Sequence, residues 1–296
     1  MFRSVISFIC ILNISFLICA TQNSHDLASL VIFSYNRPGQ LYALLESVKQ
    51  HVSGLSSVSV LYRTDSARYE IAYEKVKKSF PGVAWHRQKN PPHDFKPLLL
   101  LILEKFTTDH VLFAVDDIVV KDKVNLAVCV QALEQTKAYA FYLRLGKNII
   151  YSYNSDILNP APMHVSITDD IYAWRFCQGR GDWAYPHTVD MTLYRLADIL
   201  PAFKHFPYHS PNTLEEHWSG LGHDKKMIGL CFETSKIVNI PVNLVNNRQN
   251  PYMHSYTAQE LLEKFENNLK LDIVPLYGVH NTAAHMDYQF TFVPLE

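Results

Sequence analysis

The 296-residue sequence predicts an α/β protein, in which helices flank a mixed, mostly parallel sheet within a single large domain. Between residues 27 and 123, strand-length apolar runs alternate with amphipathic helical segments, a pattern typical of a sheet covered by helices on both faces. Hydrophobic residues make up 48% of the chain and charged residues 19%, as in a globular protein. The formal net charge of -1 provides no basic field, so nucleic acid is not an expected partner.

The first half of the chain contains the most regular alternation. Pro38 suits the first turn of a helix, and Leu41, Leu44, Leu45 and Val48 then recur at helical spacing. The predicted strands cover residues 27–34, 58–62, 83–85 and 111–115, and two further helices cover residues 69–80 and 96–106. Ligands of such sheets collect at the carboxyl ends of the strands.

The second half is less regular. It predicts helices over residues 125–137, from about residue 210, and from Thr257. Thr257 and Glu260 have the spacing of a capping box, and so have Thr213 and Glu216. Strands are predicted over residues 141–145, near residues 187–194, and over residues 237–243.

The N-terminus has a different character. An almost wholly apolar stretch of residues 5–20 follows Arg3 and precedes polar residues, which predicts a signal peptide or an N-terminal anchor over residues 1–20. This stretch is short for a membrane span, which needs roughly 20 residues. The segment predicts a secretory-pathway protein, secreted or membrane-anchored, with membrane association through the N-terminus. Outside this segment, the three remaining cysteines are widely spaced and odd in number, so the sequence does not predict a disulfide framework.

Two adjacent acids, Asp116 and Asp117, interrupt a strongly apolar sequence. They follow the run of residues 111–115 and precede Ile118-Val119-Val120. Carboxylates in so hydrophobic a context are costly to bury as ions unless something pairs with them. A strand that delivers acids to its carboxyl end is a common way to hold a divalent cation beside a phosphate. The turns at residues 35–37 and 63–65 are predicted to meet the acids at the same edge of the sheet.

These segments resemble a GT-A fold glycosyltransferase of the family-2-like kind, whose nucleotide-binding fold is Rossmann-like. The resemblance rests on residues 31–38 (VIFSYNRP), on residues 113–118 (FAVDDI), and on residues 211–216 (PNTLEE). It covers most of the chain from about Leu30. It implies one domain over residues 27–296, with a nucleotide-binding half at about 27–123 and an acceptor-side half at about 124–296.

The resemblance also implies roles for particular residues. Asp117 would be a ligand of Mn²⁺ or Mg²⁺, with His285 as a second metal or phosphate contact, and Glu215 or Glu216 would be the catalytic base. The residues implied to contact the nucleotide-sugar donor are Ser34, Asn36, Arg37, Arg63 with Asp65, Asp116, Arg144 and Asp190. The pattern departs from the family at Val115, where the first acid of the metal triplet would stand.

Several of these residues also have ordinary structural interpretations. Asn36 could be a helix N-cap, and Arg144 could form a structural ion pair. Glu216 is explained by its capping box without any catalytic role. Weaker candidates for substrate contact are His254 and the polar cluster Asn246, Asn247 and Arg248.

The expected function is therefore divalent-metal-dependent transfer of a sugar from a nucleotide-diphosphate donor to a hydroxyl of a glycan, lipid or protein acceptor. An inverting single displacement is favoured, with Glu215 as base. Two alternatives stay open: a non-catalytic GT-A-like module that binds carbohydrate or nucleotide, and a nucleotidyltransferase. A nucleotidyltransferase should carry a Gly-rich basic loop after the first strand, whereas this chain has Tyr-Asn-Arg-Pro-Gly.

Overall fold

The computed structural model describes residues 27–153, 155–222, 224–243 and 256–295. The predicted leader over residues 1–20 lies outside the described residues, and so do Asn246, Asn247, Arg248 and His254. The expected secretory or membrane-anchored localisation is corrected here. Within the part of the chain that the structure describes, no helix is both long enough and apolar enough to cross a membrane.

Short strands and seven α-helices make up the regular structure of the described residues. The strands, numbered along the chain, are β1 (Ala28–Tyr35), β2 (Val52–Ser53), β3 (Leu55–Arg63), β4 (Val83–Arg87), β5 (His110–Val115), β6 (Ile118–Val120), β7 (Val124–Asn125), β8 (Ala140–Tyr142), β9 (Tyr151–Ser152), β10 (Ile157–Leu158), β11 (His164–Ser166), β12 (Ile171–Arg175), β13 (Thr192–Arg195), β14 (Ile228–Phe232), β15 (Ile237–Asn239), β16 (Leu269–Leu271) and β17 (Phe292–Pro294). The helices are α1 (Pro38–His51), α2 (Ala67–Ser79), α3 (Phe95–Glu104), α4 (Leu126–Thr136), α5 (Leu196–His205), α6 (Pro211–Ser219) and α7 (Ala258–Glu266).

Nine of the strands form the central sheet, in the order β11-β12-β14-β8-β13-β5-β1-β3-β4. From β5 to β4 all pairs are parallel, as the alternation of strands and helices in the first half predicts. The antiparallel strand β13 separates β5 from β8, and the parallel pair β8–β14 follows. The predicted mixed α/β fold is confirmed, and each antiparallel pair of the central sheet involves at least one strand from the second half of the chain.

Helices cover both faces of this sheet, which is the reason why its strands are apolar on both sides. One buried cluster packs α1, α2, α4 and α7 against one face, and a second packs α3, α5 and α6 against the other. Both clusters contain residues from the two halves of the chain. The predicted halves therefore share their hydrophobic cores.

A separate two-stranded sheet brings the late part of the chain to the acids. Strand β15 pairs in antiparallel fashion with β6, the strand that follows Asp117. The backbone N–H of Ile240 donates to the carbonyl of Asp117 at 2.8 Å. The strand predicted over residues 237–243 ends at Asn239, because Val242 N–H turns back to bond the Ile240 carbonyl at 2.9 Å around Pro241.

Two other boundaries differ from the prediction. The strand expected near residues 187–194 begins only at Thr192, after Met191 with a φ of 40°, and the strand over 141–145 ends at Tyr142. Helix α6 begins at Pro211 with Ser210 as N-cap, so the capping box joins Ser210 and Thr213, not Thr213 and Glu216. This shift places Glu215 in the second turn of the helix.

Candidate active site

A cavity of about 530 Å³ opens at the carboxyl ends of β1, β3 and β5. This is the edge at which the sequence predicts the polar turns and the acids to meet. The predicted site residues that line this cavity are Ser34, Arg37, Arg63, Asp116, Asp117, Asp190, Glu215 and His285. The first five come from the first half of the chain, and the last three come from the second half.

The guanidinium group of Arg37 bridges the two acids. Its Nη1 donates to Asp116 Oδ1 at 3.0 Å and to Asp117 Oδ2 at 2.8 Å, and all three side chains are at most 10% exposed. Pro38 is the first residue of α1, so Arg37 lies just after the end of β1. The end of the neighbouring strand β5, which leads to the two acids, is beside it. Although burial opposes ionisation, the charges of Asp116 and Asp117 raise the pKa of Arg37 above its usual value. Arg37 thus supplies the compensating charge that two buried acids require.

The second oxygen of Asp116 is bound by β1 itself. Asp116 Oδ2 accepts from Ser34 Oγ at 2.8 Å and from the backbone N–H of Tyr35 at 3.1 Å. Tyr73 on α2 lies behind this contact, with its hydroxyl 2.5 Å from Ser34 Oγ. Burial raises the pKa of Asp116 to about 6, and the ion pair with Arg37 works against this increase. The carboxylate of Asp116 is thus fully committed to protein groups.

Asp117 differs in having one uncommitted oxygen. Its Oδ1 is buried and has no hydrogen-bond partner. Such a carboxylate oxygen is a suitable ligand for Mg²⁺ or Mn²⁺, which complete their shells with phosphate oxygens and water. No group of three or more His, Cys, Asp or Glu side chains in the described residues could hold a metal by itself. The donor set therefore fits a cation that is shared with a phosphate ligand.

Asp190, Glu215 and His285 face the acid pair from the other half of the protein. Glu215 Oε1 accepts from the backbone N–H of Val189 at 2.7 Å, which joins α6 to the loop before β13. Burial raises the pKa of Glu215 to about 7, and the negative charge of Asp190 adds to the effect. Burial also raises the pKa of Asp190, whose Oδ2 lies 3.8 Å from His285 Nε2. An acid with a pKa near 7 can exchange protons at neutral pH.

Arg144 does not line the cavity, and the prediction that it contacts the donor is corrected. Its side chain is buried, and Nη1 donates to Asp182 Oδ1 at 2.8 Å. Nη2 donates to the carbonyl of Asp182 at 3.3 Å. Although burial opposes it, the Arg144 charge lowers the pKa of Asp182. Arg144 therefore forms a structural ion pair, the alternative that its sequence context also allowed. Its partner is Asp182, which no local sequence pattern indicated.

Arg63, the last residue of β3, lines the cavity, and Asp65 lies in the loop that follows. Arg63 is in ion-pair contact with Asp65 at 3.2 Å, and its guanidinium lies 4.6 Å from the centre of the Tyr35 ring. Asn36, with a φ of 53°, donates through Nδ2 to Asp65 and accepts from the Asp65 backbone N–H. Asn36 is therefore neither the helix N-cap, which is Arg37, nor part of the cavity lining. It holds the two loops together.

Glu216 also lies away from the cavity and is exposed. Since α6 begins at Pro211, Glu215 turns toward Val189 and its neighbour turns away. The structure therefore separates the two candidate bases and places only Glu215 in the cavity.

Two asparagines in the cavity wall were not among the predicted residues. Asn239 and Asn243 are both buried and line the cavity. Arg37 Nε donates to Asn243 Oδ1 at 2.9 Å, so the bridging arginine is held from the second half of the chain. The signal that could have identified them is the alternation Asn-Ile-Pro-Val-Asn, in which Ile240 and Val242 belong to a buried cluster.

Comparisons with known proteins agree with the predicted class. No protein-family model matches the chain. Over 188 residues it is 28% identical to the bifunctional glycosyltransferase pgtA of Dictyostelium discoideum, in an alignment covering 57% of this chain and 24% of that protein. The chain thus spans about a quarter of the length of that relative.

Solved glycosyltransferases are similar in fold at a low level. TarS 1–349 from S. aureus, solved with UDP, has a TM-score of 0.44 and 14% identity over 64% of this chain and 53% of that chain. The mannosyltransferase PcManGT from Pyrobaculum calidifontis, solved with GDP-Man and Mn²⁺, has a TM-score of 0.39 and 12% identity over 70% of this chain and 56% of that chain. The sequence similarity supports the predicted resemblance to a glycosyltransferase, whereas the family-2-like subdivision stays a prediction.

Proposed function

We propose that this protein is a glycosyltransferase, which moves a sugar from a nucleotide-diphosphate donor to an acceptor hydroxyl. The observation that carries the proposal is the cavity itself. It places an arginine-bridged acid pair opposite a carboxyl group whose pKa is close to 7. The sequence similarity to a glycosyltransferase supports the same class of reaction.

In the proposed reaction, Glu215 is the general base of an inverting displacement. The acceptor oxygen forms a bond to the anomeric carbon of the sugar while the bond from that carbon to the phosphate oxygen breaks. The proton of the acceptor hydroxyl passes to the Glu215 carboxylate, and the nucleoside diphosphate leaves with the bonding electrons. A base with a pKa of about 7 suits this task, because it is ionised in part at neutral pH and still binds the proton well.

We assign Asp117 as the protein ligand of a divalent cation, Mn²⁺ or Mg²⁺, through its unpaired Oδ1. The cavity is lined by four carboxylates but only two guanidinium groups, so a diphosphate would meet an excess of negative charge. When bound, the cation would neutralise charge on the departing nucleoside diphosphate. Asp190 and His285 lie across the cavity from this position and are proposed to contact the donor.

The donor nucleoside is proposed to lie at the loop mouth formed by Tyr35, Arg63 and Asp65. Tyr35 presents an aromatic ring there, and Arg63 lies against that ring at 4.6 Å. Aromatic rings and guanidinium planes both stack on nucleobases. Ser34 and Asp116 stand deeper in the cavity, next to Arg37.

One observation favours a second candidate, a binding module without transferase activity. Arg37 already forms ion pairs with both acids, and Val115 stands where the family pattern has a first acid. A site of this kind could bind a nucleotide sugar without the cation that assists its cleavage.

Hydrolysis of nucleotide sugars separates these two candidates. Purified protein is incubated with a panel of UDP-, GDP- and CDP-activated sugars, with Mn²⁺, with Mg²⁺ or with EDTA, and release of the nucleotide is measured. The proposed transferase releases nucleotide from at least one donor in the presence of a cation and not in EDTA. Binding of a donor without any release would favour the module, and absence of both binding and release would overturn the proposal.

A further inference from the structure

We propose that Asn239 and Asn243 form a subsite that recognises the hydroxyl groups of a sugar. This inference rests on the proposed function and names the part of the substrate that this wall of the cavity contacts. Neither residue belongs to the acid pair or to the proposed base. Their role would be to select the sugar.

This wall of the cavity is formed by a short alternating sequence that starts at the last residue of β15. Asn239, Pro241 and Asn243 line the cavity, whereas Ile240 and Val242 are 2% and 3% exposed within a hydrophobic cluster. Two apolar side chains therefore anchor the segment while the two amides turn the other way. Because β15 pairs with β6, the segment begins directly beside Asp117.

Each asparagine has a buried polar atom without a partner. Asn239 Oδ1 and Asn243 Nδ2 make no hydrogen bond, although the residues are only 5% and 4% exposed. A buried polar group that stays unpaired costs free energy, and most such groups in folded proteins have a partner. Two of them in the wall of one cavity indicate that a ligand, or water that a ligand replaces, completes their bonding.

Arg37 orients the side-chain amide of Asn243, and backbone hydrogen bonds fix the position of Asn239. Asn243 Oδ1 accepts from Arg37 Nε at 2.9 Å, which leaves the Nδ2 group as the available donor. The Asn239 backbone bonds on both sides of His285, donating to the Ala284 carbonyl at 3.0 Å and accepting from Met286 N–H at 3.0 Å. The subsite thus connects the arginine at one end of the cavity with the histidine at the other.

The pairing of one free acceptor with one free donor identifies the chemistry of the ligand. A sugar hydroxyl donates one hydrogen bond and accepts others, so neighbouring hydroxyls can satisfy both asparagines. A metal cation cannot use the Asn243 N–H donor, and a phosphate cannot use the Asn239 oxygen acceptor. The mixed set therefore fits a neutral polyol better than either ion. The sugar could be that of the donor or that of the acceptor.

Two substitutions test the subsite while preserving the surrounding contacts. Asn239→Leu removes the acceptor with little change in size, and Asn243→Asp keeps the oxygen that binds Arg37 but replaces the donor N–H. Asn239→Asp retains an acceptor at the same position and serves as the conservative control. Binding is measured by calorimetry for UDP, GDP, the corresponding nucleotide sugars, and a panel of methyl glycosides.

If the subsite binds the donor sugar, N239L and N243D weaken the binding of a nucleotide sugar by about tenfold each, since one lost hydrogen bond is worth about 1 kcal/mol or somewhat more. Binding of the free nucleoside diphosphate stays unchanged in N239L. In N243D and N239D the new carboxylate also weakens the diphosphate, so the loss specific to the sugar is measured relative to the free nucleoside diphosphate, and it is smaller in N239D than in N239L. If the subsite binds the acceptor sugar, the variants show no loss specific to the nucleotide sugar and weaken a methyl glycoside.

Other outcomes overturn the inference. Equal losses for the nucleoside diphosphate and its sugar conjugate would mean that the asparagines support the phosphate site or the fold. Unchanged binding of all ligands by both variants would contradict the proposed subsite but would not contradict the proposed function. If the wild-type protein binds no nucleotide, nucleotide sugar or glycoside, both the subsite and the proposed function are contradicted.

Discussion

At the scale of single residues, Arg37 has the largest electrostatic role in the cavity. Its guanidinium contacts both acids and, through Nε, Asn243 from a distant part of the chain. Arg37, Asp116 and Asn243 are buried and the Asp117 side chain is only 10% exposed, so the contacts are little screened by solvent. Removing the arginine would leave two carboxylates buried without a counter-charge.

We therefore expect Arg37→Met to lower the free energy of unfolding by about 3–5 kcal/mol, the usual cost of breaking a buried ion pair from one side. Urea denaturation at pH 7 measures the change. Added Mn²⁺ should recover more stability in the variant than in the wild type, because a cation can replace the missing charge. Arg68→Met, which removes an exposed ion pair with Glu266, is the control and should change little. Equal midpoints for R37M and the wild type would contradict the account.

Glu215 is the residue whose loss should affect the reaction rate most directly. We expect Glu215→Gln to reduce the turnover rate by at least about 100-fold, as for loss of a general base. The wild-type rate should rise with pH through about 7, where the carboxyl group loses its proton. Glu216→Gln changes a neighbouring, exposed carboxylate and should leave the rate unchanged. The transfer or hydrolysis rate from pH 5 to 9 is the measurement, and equal effects of the two variants would reject Glu215 as the base.

The same carboxyl group should also affect stability. Its pKa is about 7 in the folded protein, whereas the ordinary pKa of a glutamate side chain is 4.5, so the folded state holds an extra proton between these values. Stability from this group is present below about pH 4.5 and is lost as the pH rises through about 7, at about 1.4 kcal/mol for each pKa unit. Glu215→Gln lacks this loss and should be more stable than the wild type at pH 8 but not at pH 4. Melting temperatures at the two pH values test the sign.

At the scale of elements, the start of α6 determines where Glu215 lies. Ser210 Oγ accepts from Thr213 N–H at 3.2 Å, and Thr213 Oγ1 accepts from Ser210 N–H at 3.0 Å. Helix α7 begins with an equivalent capping box of Thr257 and Glu260, remote from the lining of the cavity. The chain thus offers two similar caps, only one of which carries a proposed catalytic side chain.

Both Ser210→Ala and Thr257→Ala should lower the free energy of unfolding by about 1 kcal/mol, the typical cost of losing an N-cap. Only Ser210→Ala should also reduce the rate, since fraying of the first turn of α6 displaces Glu215 from Val189. Denaturation and initial rates of both variants provide the comparison. A rate loss in T257A as large as that in S210A would show that the effect arises from general destabilisation.

How well the sequence predicts an element depends on whether local residues determine it. Strands β1 and β5 and helix α1 follow from apolar runs and from Pro38, and the edge where they bring Asp116 and Asp117 follows from the parallel order. The pairing of these acids with Arg37 does not follow from the sequence, and neither does the pairing of Arg144 with Asp182. Both ion pairs depend on three-dimensional contacts. The same is true of Asn239 and Asn243, whose role becomes visible only when β15 pairs with β6.

At the scale of the whole molecule, the cavity depends on both halves of the chain. Arg37 and the acid pair come from the first half, and Asn243, Glu215 and His285 come from the second. Strand β13 pairs directly with β5, so the sheet is continuous across the predicted boundary near residue 123. Nucleotide and cation would therefore bind between parts that already share a core.

The excess of carboxylates in this shared cavity leads to a prediction about linked binding. A nucleoside diphosphate and Mn²⁺ together should stabilise the protein far more than either does alone. The cation offsets the carboxylate charge that repels the diphosphate, and the diphosphate provides oxygen ligands for the cation. At ligand concentrations of about 100 times the dissociation constant, the expected gain is about 2.7 kcal/mol. Thermal unfolding with UDP or GDP, in Mn²⁺ or in EDTA, measures it, and Asp117→Asn should remove the part that depends on Mn²⁺. If the nucleotide stabilises the wild type equally in EDTA, the guanidinium groups of the cavity supply the positive charge, and the cation has no place in this site.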